Sequence, residues 1–244
     1  MKIAVLSDIH GNISALDAVI AHANRQSVDQ IVNLGDICSG ALWPEKTADR
    51  LMKLDFPTIR GNHERQVLNG TPDQMGLSDR HARLTLREDQ LAWFAALPET
   101  LRLSDDVLLV HGTPDSDLIY FLETVTEQGV RPATLDEVAE RAGTTDASLI
   151  LCGHTHVPRA VRLTDGRLIV NPGSVGLPAY DDDHPFPHVI QNGAPHARYA
   201  IVTKENGEWE ASFHMVAYDW EKAAREAEAH KRLDWAKALR TGMV

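Results

Sequence analysis

The run Lys2-Ile3-Ala4-Val5-Leu6 passes without a break into Ser7-Asp8-Ile9-His10-Gly11-Asn12, and no other stretch constrains the fold of the chain as strongly. A short β-rich segment ends in an acid and an imidazole two residues apart, and a glycine follows at once. From Asn12 the period changes: Ile13, Leu16, Val19, Ile20 and Ala23 fall at helical spacing, with Asn12 as N-cap. A strand, a tight turn and a helix therefore open the chain, and the turn carries the chemistry.

The alternation continues. Gln30 to Leu34 reads as a second buried strand ending in Gly35-Asp36, and Pro44 opens a helix through about Leu54, at the position where proline is tolerated. Thr58 to Arg60 is a third short strand, ending in Gly61-Asn62-His63-Glu64. Val107 to Val110 runs into His111-Gly112, Leu149 to Cys152 into Gly153-His154-Thr155-His156, and Leu168 to Val170 into Asn171-Pro172-Gly173-Ser174-Val175-Gly176. This βαβ order favours a parallel sheet in the first half. Thr164-Asp165-Gly166-Arg167 is hairpin chemistry, and strands Arg198 to Val202 and Glu210 to Val216 flank Asn206-Gly207, so the second half is richer in antiparallel pairing.

Four further segments have distinct signatures. Met75 to Leu97 reads as a helical insertion over one edge of the site, with helical spacing from Leu84 to Leu97. Thr134-Leu135-Asp136-Glu137 is a capping box whose helix Gly143 closes. Residues 179–196 show no element of their own; a loop of that length is often functional, and its His184 and His188, read first as ordinary imidazoles, have approach to the site on a lid as the alternative. Trp220 to about Leu239 reads as one amphipathic helix, a packing element or the contact of a homo-oligomer.

Composition narrows the classes. The 244 residues are expected to form one domain, 1–244, and no apolar run nears the roughly 20 residues of a membrane span. The start of the chain lacks a signal-peptide pattern, so a cytoplasmic location is expected. A formal charge of −11 argues against broad nucleic-acid binding, which needs a basic face, yet leaves phosphate substrates open because metal ions invert local charge. The two cysteines, Cys38 and Cys152, are too few for a disulfide framework and read as buried structural thiols.

Asp8, His10, Asp36, Asn62, His63, His111, His154 and His156 all fall at strand ends, where α/β sheets bind their ligands. Asp8 and His10 are two residues apart, as are His154 and His156, so an extended backbone would turn each pair to one face. Carboxylate, amide and imidazole donors without cysteine suit divalent manganese, iron, zinc or nickel. So many donors exceed the needs of one tetrahedral ion and suit two ions bridged by a carboxylate. Five of the 12 histidines lie at these ends; the other seven, His22, His81, His184, His188, His196, His214 and His230, are read as ordinary imidazoles.

Asp8-Ile9-His10-Gly11, Gly35-Asp36, Gly61-Asn62-His63-Glu64, His111-Gly112 and Gly153-His154-Thr155-His156, in that order, resemble the motifs of the calcineurin-like metallophosphoesterases, in particular their small bacterial members. The resemblance spans about residues 1–180, and Asn171 to Gly176 is similar to a segment of those bacterial members. It implies a four-layer α/β/β/α sandwich, a two-metal site and hydrolysis of phosphomonoesters or phosphodiesters of small phosphorylated molecules. It further implies that Asp8, His10 and His156 hold one metal, that Asn62, His111 and His154 hold the other, that Asp36 bridges and that His63 is the general acid. Glu64 is then placed to orient His63 or the backbone beside it, and Arg60 reads as structural. Protein phosphatases of this superfamily carry an arginine soon after the second-motif aspartate, whereas Ile37-Cys38-Ser39-Gly40 stands here, which argues against that branch. A catalytically silent scaffold and a nuclease are the remaining alternatives. Asn171 to Gly176 reads equally as a turn or as a source of N–H donors for phosphate.

Overall fold

The computed structural model describes residues 1–244. The first half contains β1 (Lys2–Leu6), α1 (Ile13–Asn24), β2 (Gln30–Asn33), α2 (Pro44–Leu54), α3 (Asn62–Asn69), α4 (Leu77–Thr85), α5 (Glu88–Ala96), β3 (Leu101–Ser104) and β4 (Val107–Leu109). The middle contains β5 (Glu123–Thr126), β6 (Gly129–Pro132), α6 (Leu135–Ala142), β7 (Leu149–Leu151), β8 (Arg159–Arg162) and β9 (Leu168–Asn171). Then follow β10 (Ala179–Asp182), β11 (His188–Gln191), β12 (Ala197–Glu205), β13 (Glu208–Val216), α7 (Trp220–Ala229) and α8 (Leu233–Thr241).

Two main sheets form, in the orders β13-β12-β1-β2 and β3-β4-β7-β9-β8. Within them β1 pairs parallel with β2, and β7 parallel with both β4 and β9, so these strands end at one rim. Strand alternation assigns the faces. Ile3, Val5, Val32, Ala200 and Val202 of the first sheet meet Leu109, Leu149, Leu151 and Val170 of the second in a core between the sheets. Their neighbours Ala4, Leu6, Ile31 and Tyr199 turn the other way, onto Leu16, Val19, Leu51 and Phe94 of the helices. On the far side Val110, Ile150 and Ile169 pack against Val138 and Ala142 of α6. The result is the expected four layers, α/β/β/α. Each fully buried Leu, Ile or Val contributes about 1.5–3 kcal/mol, so these three cores hold the strand ends that carry the site.

Local signals act as read in several places. Asn12 Oδ1 accepts from the Ala15 amide at 3.1 Å, Pro44 opens α2, and Thr134 and Glu137 exchange capping bonds of 3.2 and 2.7 Å. The hairpin between β8 and β9 forms at Asp165-Gly166, and Cys38 and Cys152 are free and buried. No helix is long and apolar enough to cross a membrane.

Four expectations are corrected. Residues 179–196 are not structureless: β10 and β11 pair antiparallel from Ala179–Gln191 to Asp182–His188, using Tyr180, Val189 and Ile190 among polar residues whose charge run hides the alternation. The single helix 220–239 is two, because Lys231 takes a left-handed φ of 62° and turns the chain into an antiparallel pair. The insertion at 75–97 is likewise two helices, α4 and α5, broken where Leu86 is extended (ψ 138°). Thr58 to Arg60 makes only an isolated bridge from Thr58 to Asn33 rather than a full strand.

Candidate metal centre

Three strands at the rim, β1, β2 and β7, turn at their polar ends into an unusual backbone. Asp8, His10, Asp36, His154 and His156 have φ of 56°, 52°, 53°, 69° and 60°, the left-handed region that non-glycine residues rarely occupy. Such residues cost on the order of 1 kcal/mol or more each and persist where surroundings over-determine them. Here the surroundings are main chain: the amides of Asp8, His10 and Gly11 donate to Gly35, Asp36 and Ile37 oxygens at 3.0, 3.0 and 2.8 Å, and Gly153 donates to His111 at 2.8 Å. The two Asp/His and His/His pairs thus converge through left-handed turns, not through the extended alternation expected for residues two apart. Two glycines make the approach of the turns possible. A Cβ on Gly61 would lie 2.2 Å from Asp36 Oδ1, and one on Gly153 would lie 2.0 Å from Ser7 Oγ.

The turns bring the predicted side chains together. Asp8, His10 and His156 form one group and Asp36, His111 and His154 a second, with ligand atoms in each group within 4.8 Å of one another. Asn62 joins the second: its Oδ1 lies 3.1 Å from His111 Nε2. All of these except His154 are buried. His63 stands beside them, its Nε2 4.0 Å from Asp36 Oδ2.

The hydrogen-bond partners decide which ring nitrogens carry hydrogen. His10 Nδ1 lies 2.7 Å from the Ser39 carbonyl and His156 Nδ1 2.7 Å from that of Leu177. A carbonyl only accepts, so each Nδ1 donates, and in the neutral ring each Nε2 is left with a lone pair. Those two Nε2 atoms face each other at 3.0 Å. In the second group His111 Nδ1 donates to Leu34 oxygen at 2.7 Å, while its Nε2 faces Asn62 Oδ1 and Asp36 Oδ2, each at 3.1 Å. His154 donates through Nε2 to the Leu118 carbonyl at 3.1 Å, which leaves Nδ1 for a ligand. For the neutral His10 and His156 rings, acceptor facing acceptor in a buried site is unfavourable unless positive charge lies between, and N/O donors of this kind fit divalent transition ions.

The titration of the protein alone shows the same tension. Burial, then the neighbouring His156, pushes His10 down to about 3, and burial, then His111, pushes His154 down to about 4. Against burial, Asp36 raises His111 to about 9. Also against burial, Asp36 and then Asp79 raise His63 to about 10. Burial would raise both carboxylates, yet His156 holds Asp8 below its ordinary value, and His111 with His63 holds Asp36 well below.

The supporting contacts divide the open expectations. Glu64 does not touch His63: its carboxylate accepts from the amides of Asp36, Ile37 and Gly61 at 2.9, 2.8 and 2.8 Å and so ties the second turn to the third. Burial and Asp36 push it up to about 7. Asp79 of α4 orients His63 instead, accepting from Nδ1 at 2.6 Å. Sequence reading missed Asp79, because a lone acid on an insertion helix carries no spacing relation to the strand ends. In Asn171 to Gly176 the donors are spent on structure: Ser174 Oγ donates to Asp8 oxygen at 2.7 Å, and the Val175 and Gly176 amides donate to Ser7 and Asp8 oxygens, each at 3.0 Å. The turn reading stands, and its work is to brace Asp8 from behind.

A cleft of about 680 Å³ opens over both groups. Tyr120 and Tyr180 wall one side, their hydroxyls 2.6 Å apart, with Tyr120 edge-on to His154 and Tyr180 edge-on to His156. His188 is not on a lid: it is buried, with Nε2 accepting from Tyr120 at 3.0 Å. His184 lies at the rim with its side chain 94% exposed. On the other side α8 brings Trp235 to 6.0 Å from the His10 ring.

The molecule has the metallophosphoesterase fold: a metallophosphoesterase from Sphaerobacter thermophilus superposes with a TM-score of 0.73 at 24% identity, covering 97% of this chain and 100% of its own. The chain belongs to the calcineurin-like phosphoesterase superfamily, whose domain model matches residues 1–191. A relative, the uncharacterized protein MJ0912 of Methanocaldococcus jannaschii, is 23% identical over 257 residues, 96% of this chain and 94% of that protein.

Proposed function

We propose that the chain is a dinuclear metal-dependent phosphoesterase acting on mono- or diesters of small phosphorylated molecules. Asp8, His10 and His156 would hold one divalent ion, Asn62, His111 and His154 the other, and Asp36 would bridge. The observation that carries this reading is the convergence of two donor groups, Asp8, His10 and His156 in one and Asp36, His111, His154 and Asn62 in the other, with the Nε2 atoms of His10 and His156 3.0 Å apart. When bound, two such ions supply a water of lowered pKa and neutralise charge on phosphoryl oxygens.

The chain's own residues do the rest. His63 donates Nδ1–H to Asp79, which leaves Nε2 turned toward the bridging carboxylate, where it gives a proton to the departing oxygen. Without cations His63 holds its proton up to about pH 10; nearby positive charge lowers that value toward the range useful for a general acid. Glu64 keeps the second and third turns in register, and the tyrosine wall narrows access to water. The complete donor set argues against a silent scaffold, and the charge of −11 argues against a nuclease.

The test is metal content by mass spectrometry together with hydrolysis of 4-nitrophenyl phosphate and bis(4-nitrophenyl) phosphate in manganese, nickel and zinc. Two ions per chain and turnover of either ester are expected. Stoichiometric loading without turnover in any metal would overturn the catalytic reading.

A further inference from the structure

Among the residues lining the cleft, Arg232 alone has a permanent positive charge. It immediately precedes α8, beyond the residues that match the superfamily model. Its rotamer is fixed from three sides. Nε donates to Asp234 Oδ1 at 3.0 Å and Nη2 to Asp234 Oδ2 at 2.6 Å, Nη1 donates to Ser78 Oγ at 3.1 Å, and the guanidinium lies 5.4 Å from the Trp235 ring centre. A guanidinium has five N–H donors. Three are engaged, which leaves one on each terminal nitrogen to donate to an anion.

Placement sets what that pair meets. Ser78 and Asp79 are consecutive on α4; the first holds Arg232 and the second holds His63. Arg232 therefore stands on the same wall as the general acid, the side on which the leaving group departs. The wall is fixed to the metal centre: a Cβ on Gly40 would lie 2.6 Å from Trp235 Cη2, so the indole fills the space that glycine leaves beside His10. Asp181, Asp182 and Asp234 line the same cleft. A second anion on a substrate would be repelled there unless a fixed cation received it. Stability does not account for the arrangement, because an ion pair whose acid is half exposed adds little.

We propose that Arg232 receives a second phosphate group carried by the leaving alcohol, so that the preferred substrates are small molecules bearing a phosphate besides the scissile ester. This rests on the phosphoesterase reading and adds the substrate class to it. The probes are adenosine 3′,5′-bisphosphate and adenosine 3′-monophosphate, which differ by one phosphate. Affinity is measured by calorimetry on the manganese-loaded His63→Asn protein, where turnover does not interfere, and phosphate release is measured on the wild type. The bisphosphate is expected to bind at least about tenfold more tightly, the size of one charge-assisted contact. Arg232→Ala should bring that ratio to about one, and Arg232→Lys, with charge but no fork, to an intermediate value. A ratio of one in the parent protein, or a ratio unchanged by both substitutions at unchanged melting temperature, would overturn the proposal. A binding preference that Arg232→Ala erases, in a protein that releases no phosphate from any ester, would support the assignment of Arg232 and remove the catalytic reading.

Discussion

On the floor of the cleft His10, His156 and His111 are each oriented by a backbone carbonyl 2.7 Å away, whereas on the walls His63, Arg232 and Tyr120 are oriented by the side chains of Asp79, Asp234 and Tyr180. His10 and His156, like Asp8, Asp36 and His154, sit in left-handed turns zipped to neighbouring turns by main-chain bonds. Wall residues and their partners come from the first turn of α3, α4, the β10–β11 hairpin, the segment before β5 and the start of α8. A ligand oriented by main chain cannot be re-aimed without moving a strand end. A wall residue can be, by substituting its partner. The fold thus holds the geometry of the candidate metal ligands fixed and leaves the side chains of the cleft walls open to change.

This contrast is tested hardest at Asp36. Asp36→Asn keeps the shape and removes the charge proposed to bridge the two groups, so loss of metal and turnover together is expected. Turnover should fall by on the order of 10³-fold or more, beyond the roughly 10–100-fold typical of residues that only orient ligands. Metal content and hydrolysis of an aryl phosphate report it. Retained loading of two ions in this variant would mean that Asp36 is not the bridge.

One step off the floor, His63→Asn should leave the metal content unchanged and lower turnover by about 10²–10⁴-fold for esters with poor leaving groups. The loss should shrink for 4-nitrophenolate, which departs without a proton. An equal loss for both leaving groups would assign His63 to binding or positioning instead. On the wall itself, Asp79→Asn should cost about 10–100-fold in turnover with the metals retained, the usual size for a residue that orients another. If instead the metals were lost, α4 would be part of the floor and the contrast would fail.

The same division separates what could be read in the sequence from what could not. Floor residues are legible because most follow an apolar run at the end of a strand, so Asp8, Asp36, His111 and His154 share one local signature, while Asn62 follows only an isolated bridge. The left-handed φ of Asp8, Asp36 and His154 was not legible, since the amides that enforce it come from turns far apart in the chain. Wall residues have no common spacing. Asp79 lies on an insertion, Tyr180 on a hairpin hidden by Asp181-Asp182-Asp183, and Arg232 after a break that helical periodicity runs straight across. Their meeting is tertiary, and only packing such as that of Trp235 into the space beside Gly40 brings it about.

The smallest effect separates ionised from neutral pairing on the wall. In the metal-free protein, Asp36 and Asp79 raise His63 to about 10, against burial and above the ordinary imidazole value of 6.5. The folded state then holds this proton more tightly than the unfolded chain does, so the pair's contribution is whole below the unfolded value and is lost as pH rises through the folded one. Asp79→Asn lowers the folded value and removes part of that contribution. In chelator, the wild type should therefore melt above the variant by about 2–4 °C near pH 6, the shift that roughly 1 kcal/mol produces in a protein of this size. The gap should close as pH passes about 10, where both proteins hold His63 neutral. A gap that stayed constant across that range would show that Asp79 holds a neutral imidazole by a hydrogen bond alone, and that the wall, like the floor, fixes its ring by orientation and not by charge.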